Sequence, residues 1–261
     1  MKIIEVVRAL ECFAPLPLQE SFDNAGLQVG LTEAEVSGAL LCLDVTSSIV
    51  DEAVEKGCNL IVSHHPLIFR PLKRVVGADD VQRAVAKAIK HDITILSMHT
   101  NMDNALGGVN FKMAEKMQLT GVKFFTEKQV DGITCGSGVM GELPVAMAAD
   151  DFIMMLKREF DVECVQCNQL LRRPIRTVAI CGGAGSFLLP EAIAAGADAF
   201  VTGEMHYHDY FAHEQEIQIA VIGHYQSEQY TYEIFKSIIE EQCEGVRCVV
   251  TSQNTNPIIY L

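Results

Sequence analysis

The run Asn59-Leu60-Ile61-Val62-Ser63-His64-His65-Pro66 decides how this chain folds. Its short apolar centre has the pattern of a strand buried on both faces, and it ends on two histidines and a proline. Just upstream, Gly38-Ala39-Leu40-Leu41-Cys42-Leu43 reads as another buried strand. Between the two, Ser48 to Lys56 reads as a helix stopped by Gly57 at a C′-like position. Downstream, a helix over Val81 to Lys90 leads to the strand Ile93-Thr94-Ile95-Leu96-Ser97-Met98, which ends on His99. Buried strands separated by helices predict an α/β fold with a mostly parallel sheet covered on both faces. Ligands bind such sheets beyond the carboxyl ends of the strands, where His64, His65 and His99 fall.

The second half of the chain repeats the first. A shift of about 139 positions lays Cys42 to His65 on Cys181 to Glu204, matching Cys42 with Cys181, Ser47 with Ser186, Glu52 with Glu191, Ala53 with Ala192, Gly57 with Gly196 and Val62 with Val201. Further on, His99-x-x-x-Asp103 is echoed by His224-x-x-x-Glu228, each directly after an apolar strand. The pattern predicts internal duplication, with two similar α/β layers facing one another across a cleft.

Five residues carry the expected chemistry. Adjacent histidines on extended backbone point to opposite sides, so His64 and His65 are expected to serve different ions of a pair. Asp103 lies in a polar turn, and a helix beginning near Gln226 sets His224 and Glu228 on one face. Three imidazoles and two carboxylates suit two divalent ions of zinc, manganese, iron or nickel better than calcium. Five ligands are too many for one tetrahedral ion that keeps an open position, but suffice for two if Glu228 bridges them. Such a pair lowers the pKa of a shared water toward neutrality.

Other features have two readings. Arg70-Pro71-Leu72-Lys73-Arg74 is either a solvated loop or a clamp for a phosphate or carboxylate. Gly182-Gly183-Ala184-Gly185-Ser186 is either an anion cradle or a tightly packed turn. His206, His208 and His213 are read as pocket or surface residues in preference to a second metal site, and Cys164-x-x-Cys167 as structural in preference to redox or zinc-binding.

Composition limits the partners. The 261 residues carry a formal charge of −14, which argues against nucleic acid or an anionic membrane as the main partner. Met1 to Arg8 lacks the layout of a signal peptide, and no uncharged apolar run is long enough to span a bilayer. Nine cysteines, several in apolar runs, point to a reducing and therefore cytoplasmic setting.

The segments Ser21 to Gly30, Ser63 to Phe69, His99 to Asp103, Thr202-Gly203-Glu204 and Gly223 to Glu228 together resemble the Nif3-like family, whose bacterial members are labelled type 2 GTP cyclohydrolase I homologues. The resemblance runs from about Glu5 to the C-terminus, with Phe22 where relatives commonly carry Trp. It implies two similar, intertwined three-layer α/β domains, the first discontinuous at 1–125 and 220–261 and the second at 126–219, with a dinuclear metal site in the cleft and assembly as a toroidal homohexamer. Its metal positions map to His64, His65, Asp103, His224 and Glu228, and a further family histidine maps to His99, as a proton-transfer group or alternative ligand. The domain that longer members carry in their middle has no room in this chain. The resulting expectation is a hydrolase for a small anionic or nucleotide-like substrate, with GTP ring opening as the named candidate and Arg70, Lys73 or Arg74 meeting phosphates. The alternative is a non-catalytic metal-binding scaffold in a ring-shaped oligomer.

Overall fold

The computed structural model of the chain describes residues 1–259. The chain divides into two compact units, Met1–Ala105 with Thr231–Pro257, and Leu106–Tyr230 with Ile258 and Ile259. In chain order the first unit contains α1 (Ile3–Phe13), β1 (Gly26–Val29), β2 (Ala39–Cys42), α2 (Ser47–Glu55), β3 (Leu60–Ser63), α3 (Asp80–Lys90), β4 (Thr94–Ser97) and α4 (Thr100–Asn104). The second contains α5 (Val109–Lys116), β5 (Thr120–Phe124), the hairpin β6 (Lys128–Val130) and β7 (Ile133–Cys135), β8 (Val139–Met147) and α6 (Ala149–Glu159). It continues with β9 (Gln166–Cys167), β10 (Ile175–Cys181), α7 (Leu189–Ala194), β11 (Ala199–Thr202), β12 (Gln218–Val221) and α8 (His224–Glu228). The chain then returns to the first unit with α9 (Thr231–Gln242) and β13 (Cys248–Val250).

The first unit is built on a five-stranded sheet in the order β1-β4-β3-β2-β13. The strands β2, β3 and β4 run parallel and are buried along their whole length, which is why they read as continuous apolar runs rather than alternating ones. Alternate residues serve opposite faces. Leu40, Cys42, Ile61 and Ile95 pack against Ile49, Val50 and Ala53 of α2 and Ala84, Val85 and Ala88 of α3. On the opposite face, α9 packs on β2 and α1 on α9. Two side-chain caps fix where the covering helices begin: Thr46 Oγ1 accepts from the Ile49 amide at 3.3 Å, and Asp79 Oδ1 from the Gln82 amide at 2.8 Å. Gly57, at φ +65°, ends α2 in the left-handed conformation that glycine adopts without penalty.

The second unit holds a six-stranded sheet in the order β5-β8-β10-β11-β12-β9, of which β10, β11 and β12 are parallel and the rest antiparallel. One face, with Val178, Ile180, Ala199, Val201 and Ala220, packs on Phe152 and Leu156 of α6 and Met113 of α5. The other, with Ala179, Phe200 and Ile219, packs on Leu189 and Ala192 of α7. Each unit is therefore a three-layer α/β arrangement.

Element order and register recur between the units. The four pairs that join β2 to β3, from Ala39↔Leu60 to Cys42↔Ser63, reappear about 139 positions on as Val178↔Ala199 to Cys181↔Thr202. Two differences stand out. Where α2 is one continuous helix, the second unit has a 3-10 turn at Gly185–Leu188 followed by α7, because Pro190 in the first turn of α7 has no N–H for an unbroken helix. Between β11 and β12 there is only a 3-10 turn at Tyr207–Tyr210, where the first unit has α3.

The junctions between units fall at 105/106 and 230/231 rather than at 125/126 and 219/220. Strand β5 pairs with β8 in the second sheet, and β12 lies in that same sheet beside β11, so pairing draws both into the second unit. Among the described residues no helix is long and apolar enough to cross a membrane. Phe200 is wholly buried against α7, so Phe200→Ala is expected to destabilise the fold by about 3–5 kcal/mol, read as a lower midpoint in urea unfolding.

Candidate metal centre

In the first unit the backbone bends immediately after β3. The Leu43 carbonyl accepts from the amides of both His64, at 3.1 Å, and His65, at 3.0 Å. This bend corrects the expectation that the two rings point to opposite sides, which assumed extended backbone. Their ring centroids lie 4.9 Å apart, with the planes inclined at 50°. His99, at the start of α4, stands edge-on to both, 5.3 Å from His64 and 5.4 Å from His65. One ring nitrogen from each of the three lies within 4.8 Å of the others, a grouping able to hold a metal ion. His99 thus sits among the candidate ligands.

The other ring nitrogen of each histidine is held by an oxygen. His64 Nδ1 meets the Met98 carbonyl at 2.9 Å, His65 Nδ1 meets Asp44 Oδ1 at 2.7 Å and His99 Nδ1 meets Asp23 Oδ1 at 2.7 Å. A carbonyl or carboxylate only accepts, so each Nδ1 carries a proton, and in the neutral ring Nε2 is the nitrogen with the lone pair. This is the arrangement that orients imidazole ligands on metals. His64 Nε2 looks toward Asp103 Oδ1 at 3.6 Å.

Burial works against the charge on Asp23, but hydrogen bonds from His99, from the Thr100 hydroxyl and from the Asn24 amide outweigh it and hold the carboxyl near a pKa of about 2. Asp44 is likewise held below the usual carboxylate range: burial raises it, and hydrogen bonds from His65 and Thr255 overcome that. Helix α4, which carries Asp103, is pinned by Asn101 donating to the Ala14 carbonyl at 2.7 Å and Asn104 to the Leu18 carbonyl at 2.8 Å.

In the second unit, α8 starts at His224 itself rather than near Gln226. Its first and last residues are four apart, and one helical turn brings His224 Nε2 within 3.1 Å of Glu228 Oε2. Two donors bound to one ion at about 2.0–2.2 Å in tetrahedral geometry stand roughly 3.3 Å apart, so the pair matches two ligands on a common metal. His224 Nδ1 meets Glu204 Oε1 at 2.8 Å, the same lock as in the first unit. Glu204 and His224 also line a cavity of about 430 Å³, together with Gln166, Ser186, Met205 and His206.

The glycine-rich loop makes room for this pair. Gly183 sits at φ +57°, and a Cβ there would lie 2.3 Å from Glu228 Oε1 and 3.5 Å from His224 Nε2. A Cβ on Gly185 would lie 2.6 Å from the Cβ and Sγ of Cys181, so Gly182 to Ser186 is a packed turn beneath Glu228. Ser227 Oγ joins loop to helix, accepting from the Gly183 amide at 3.0 Å and donating to the His224 carbonyl at 2.7 Å.

The remaining sequence candidates lie elsewhere. Arg70, Lys73 and Arg74 are exposed on the loop between β3 and α3. His213 Nδ1 meets Glu216 at 2.8 Å, and His206 is largely exposed beside Asp209. Among the described residues none of His206, His208, His213, Cys164 or Cys167 belongs to a group of three or more donors able to hold a metal. Sequence reasoning missed Asp23, Asp44 and Glu204 as the partners of Nδ1. Asp23 and Glu204 fall inside motifs noted for other reasons, and Asp44 stands one residue past the apolar run that ends at Leu43.

The profile of the Duf34/NIF3 (NGG1p interacting factor 3) family matches residues 1–257. The chain is 31% identical over 265 residues to a GTP cyclohydrolase 1 type 2 homolog of Clostridium perfringens, covering all of both. It is 33% identical over 208 residues to the homolog of that name in Streptococcus pneumoniae, covering 78% of this chain and 77% of the relative. The fold is similar to the crystal structure of a Staphylococcus aureus hypothetical protein, with TM-score 0.91, 29% identity and coverage of 100% and 99% of the two chains.

Gly183→Ala and Gly196→Ala both force a side chain into left-handed backbone, at a cost of about 1–2 kcal/mol each. Only the first collides with Glu228, since nothing lies within 4 Å of a Cβ on Gly196. Isothermal titration with zinc should therefore show weakened binding for Gly183→Ala and wild-type binding for Gly196→Ala.

Proposed function

Because the chain belongs to the Duf34/NIF3 family, we propose that it is a metal-dependent hydrolase acting on a small anionic or nucleotide-like substrate. In this reading His64, His65, Asp103, His224 and Glu228 together hold two divalent ions of the zinc, manganese, iron or nickel class, and Glu228 is the bridging carboxylate. The observation that carries it is the lock on all four imidazoles, His64, His65, His99 and His224, each with Nδ1 turned to an oxygen, so that Nε2 is the nitrogen that would ligate. Neutral imidazoles and carboxylates fit these metals, and the separations within the pairs His64–Asp103 and His224–Glu228 suit donors that share an ion.

Metals so bound would supply a Lewis acid and a water acidic enough to react near neutral pH. The chain's own part is to orient the ligands and to move a proton. His99 suits the second task, because the bond from Nδ1 to Asp23 fixes the ring and leaves Nε2 facing the neighbouring rings. In this reading Arg70, Lys73 and Arg74, exposed on the loop between β3 and α3, are the groups that meet phosphates. The names of the relatives make GTP ring opening the first activity to assay. The proposal includes a cytoplasmic protein working as a homohexameric ring.

Elemental analysis of purified protein tests the centre. Two divalent ions per chain are expected, with at least one lost in Glu228→Ala and neither in His206→Ala. Protein that stays metal-free after incubation with zinc, manganese and iron(II) would sink the reading. The metal-loaded protein should then hydrolyse at least one compound in a panel of nucleotides and phosphoesters, and Glu228→Ala should not. No turnover by a protein that does hold two ions would favour the scaffold. Sedimentation that shows a monomer at micromolar concentration would remove the ring.

A further inference from the structure

The segment that follows β13 has no regular secondary structure, yet it is bound to the first unit at four successive places. The Thr251 amide donates to the Leu41 carbonyl at 3.0 Å, continuing the parallel pairing of β13 with β2. Glu52, a carboxylate buried on α2, then takes three donors from the segment: the Thr251 hydroxyl, the Ser252 amide at 2.9 Å and the Ser252 hydroxyl at 2.8 Å. Gln253 Nε2 donates to the Ser48 carbonyl at 3.0 Å. Finally the Thr255 hydroxyl donates to Asp44 Oδ2 at 2.6 Å.

That last bond reaches the metal centre. Asp44 has two oxygens with separate tasks: Oδ1 accepts from His65 Nδ1, and Oδ2 accepts from Thr255. A carboxylate held through one oxygen alone swings about its χ2 bond, which is a broad torsion with little intrinsic preference. Held through both oxygens it cannot swing without breaking a bond, and the imidazole that it orients is fixed in turn. Glu52 has no basic side chain among its hydrogen-bond partners, so its three bonds serve to hold Thr251 and Ser252 in place, and through them the register that delivers Thr255 to Asp44.

We propose that residues 251–255 form a strap, and that Thr255 is a positioning residue which sets His65 for metal binding through Asp44. The strap explains why a buried carboxylate, Glu52, stands on α2 facing a segment that forms no strand or helix. It also makes the chain beyond β13 part of the centre rather than a loose end. The proposal rests on the metal reading of His65 given above.

The test uses the full-length chain, with zinc affinity measured by competition against a chelator and the absorption bands of bound cobalt(II) as a second readout. Thr255→Val keeps the shape of the side chain and removes the donor. It is expected to weaken zinc binding by about tenfold and to shift the cobalt bands, as loss of an outer partner does at such sites. Thr255→Ser restores the donor and should behave as the wild type. Melting of the metal-free protein should fall only slightly in Thr255→Val, because the bonds to Glu52 still hold the segment. Wild-type zinc affinity and cobalt spectrum in Thr255→Val, beside a His65→Ala control that binds poorly, would overturn the strap and leave the metal reading intact. Undiminished binding in His65→Ala would defeat that reading, and the strap with it.

Discussion

The parallel pairing of β3 with β4 is the constraint on which the candidate centre depends. The pairing sets Ser63 beside Ser97, so the chain leaves both strands at the same level. The Met98 amide donates back to the Ser63 carbonyl at 2.8 Å, and the Met98 carbonyl is thereby placed to receive His64 Nδ1. A single-residue slip of either strand would turn every side chain to the other face and carry the histidines away from one another. Leu43, the residue just after the next strand β2, contributes the carbonyl that takes the amides of His64 and His65. Three buried strands thus act as a jig for three imidazoles.

Hydrogen bonding decides which nitrogen each of these rings turns toward a metal. Each of Asp23, Asp44 and Glu204 accepts from an Nδ1–H, which fixes the orientation of the ring and makes Nε2 the nitrogen that faces forward. Asp23 is fully enclosed but has several donors, and it stays ionised for that reason. Carboxylates left without donors at such depth would take up a proton and release the rings. The hydrogen bonds from Thr100 and Thr255 are therefore part of the same apparatus as the histidines.

The two units reach comparable results by different local means. In the first, a full helix lies between the second and third parallel strands, and three histidines gather at the strand ends. In the second, a 3-10 turn replaces that helix, one histidine and one glutamate share a single helical turn, and glycines at 183 and 203 clear the space beside them. Gly203 shows how close that packing is, since a Cβ there would stand 2.6 Å from the Gly183 carbonyl oxygen. Small residues in this unit do what the bend at His64 and His65 does in the other. They let chemically active side chains approach backbone closely.

The sequence by itself determined the α/β class, the positions of the buried parallel strands and the kinds of side chain at their ends. Those features are written in local patterns: an apolar run of four or five residues, a helical period, a glycine at a helix stop. It also pointed to the equivalence of Cys42–His65 with Cys181–Glu204, which the shared strand register supports. Only the tertiary structure decided that His64 and His65 converge, because the bend between them is made by a carbonyl twenty-odd residues upstream. It alone assigned Asp23 to His99, Asp44 to His65 and Thr255 to Asp44, partners separated by 76, 21 and 211 positions along the chain. It moved the unit boundaries as well, since strand pairing rather than chain order assigns β5 and β12 to the second sheet. The division has one physical cause: neighbours along the chain set each element's conformation, whereas the partner of a polar group is whichever atom packing brings within hydrogen-bonding distance.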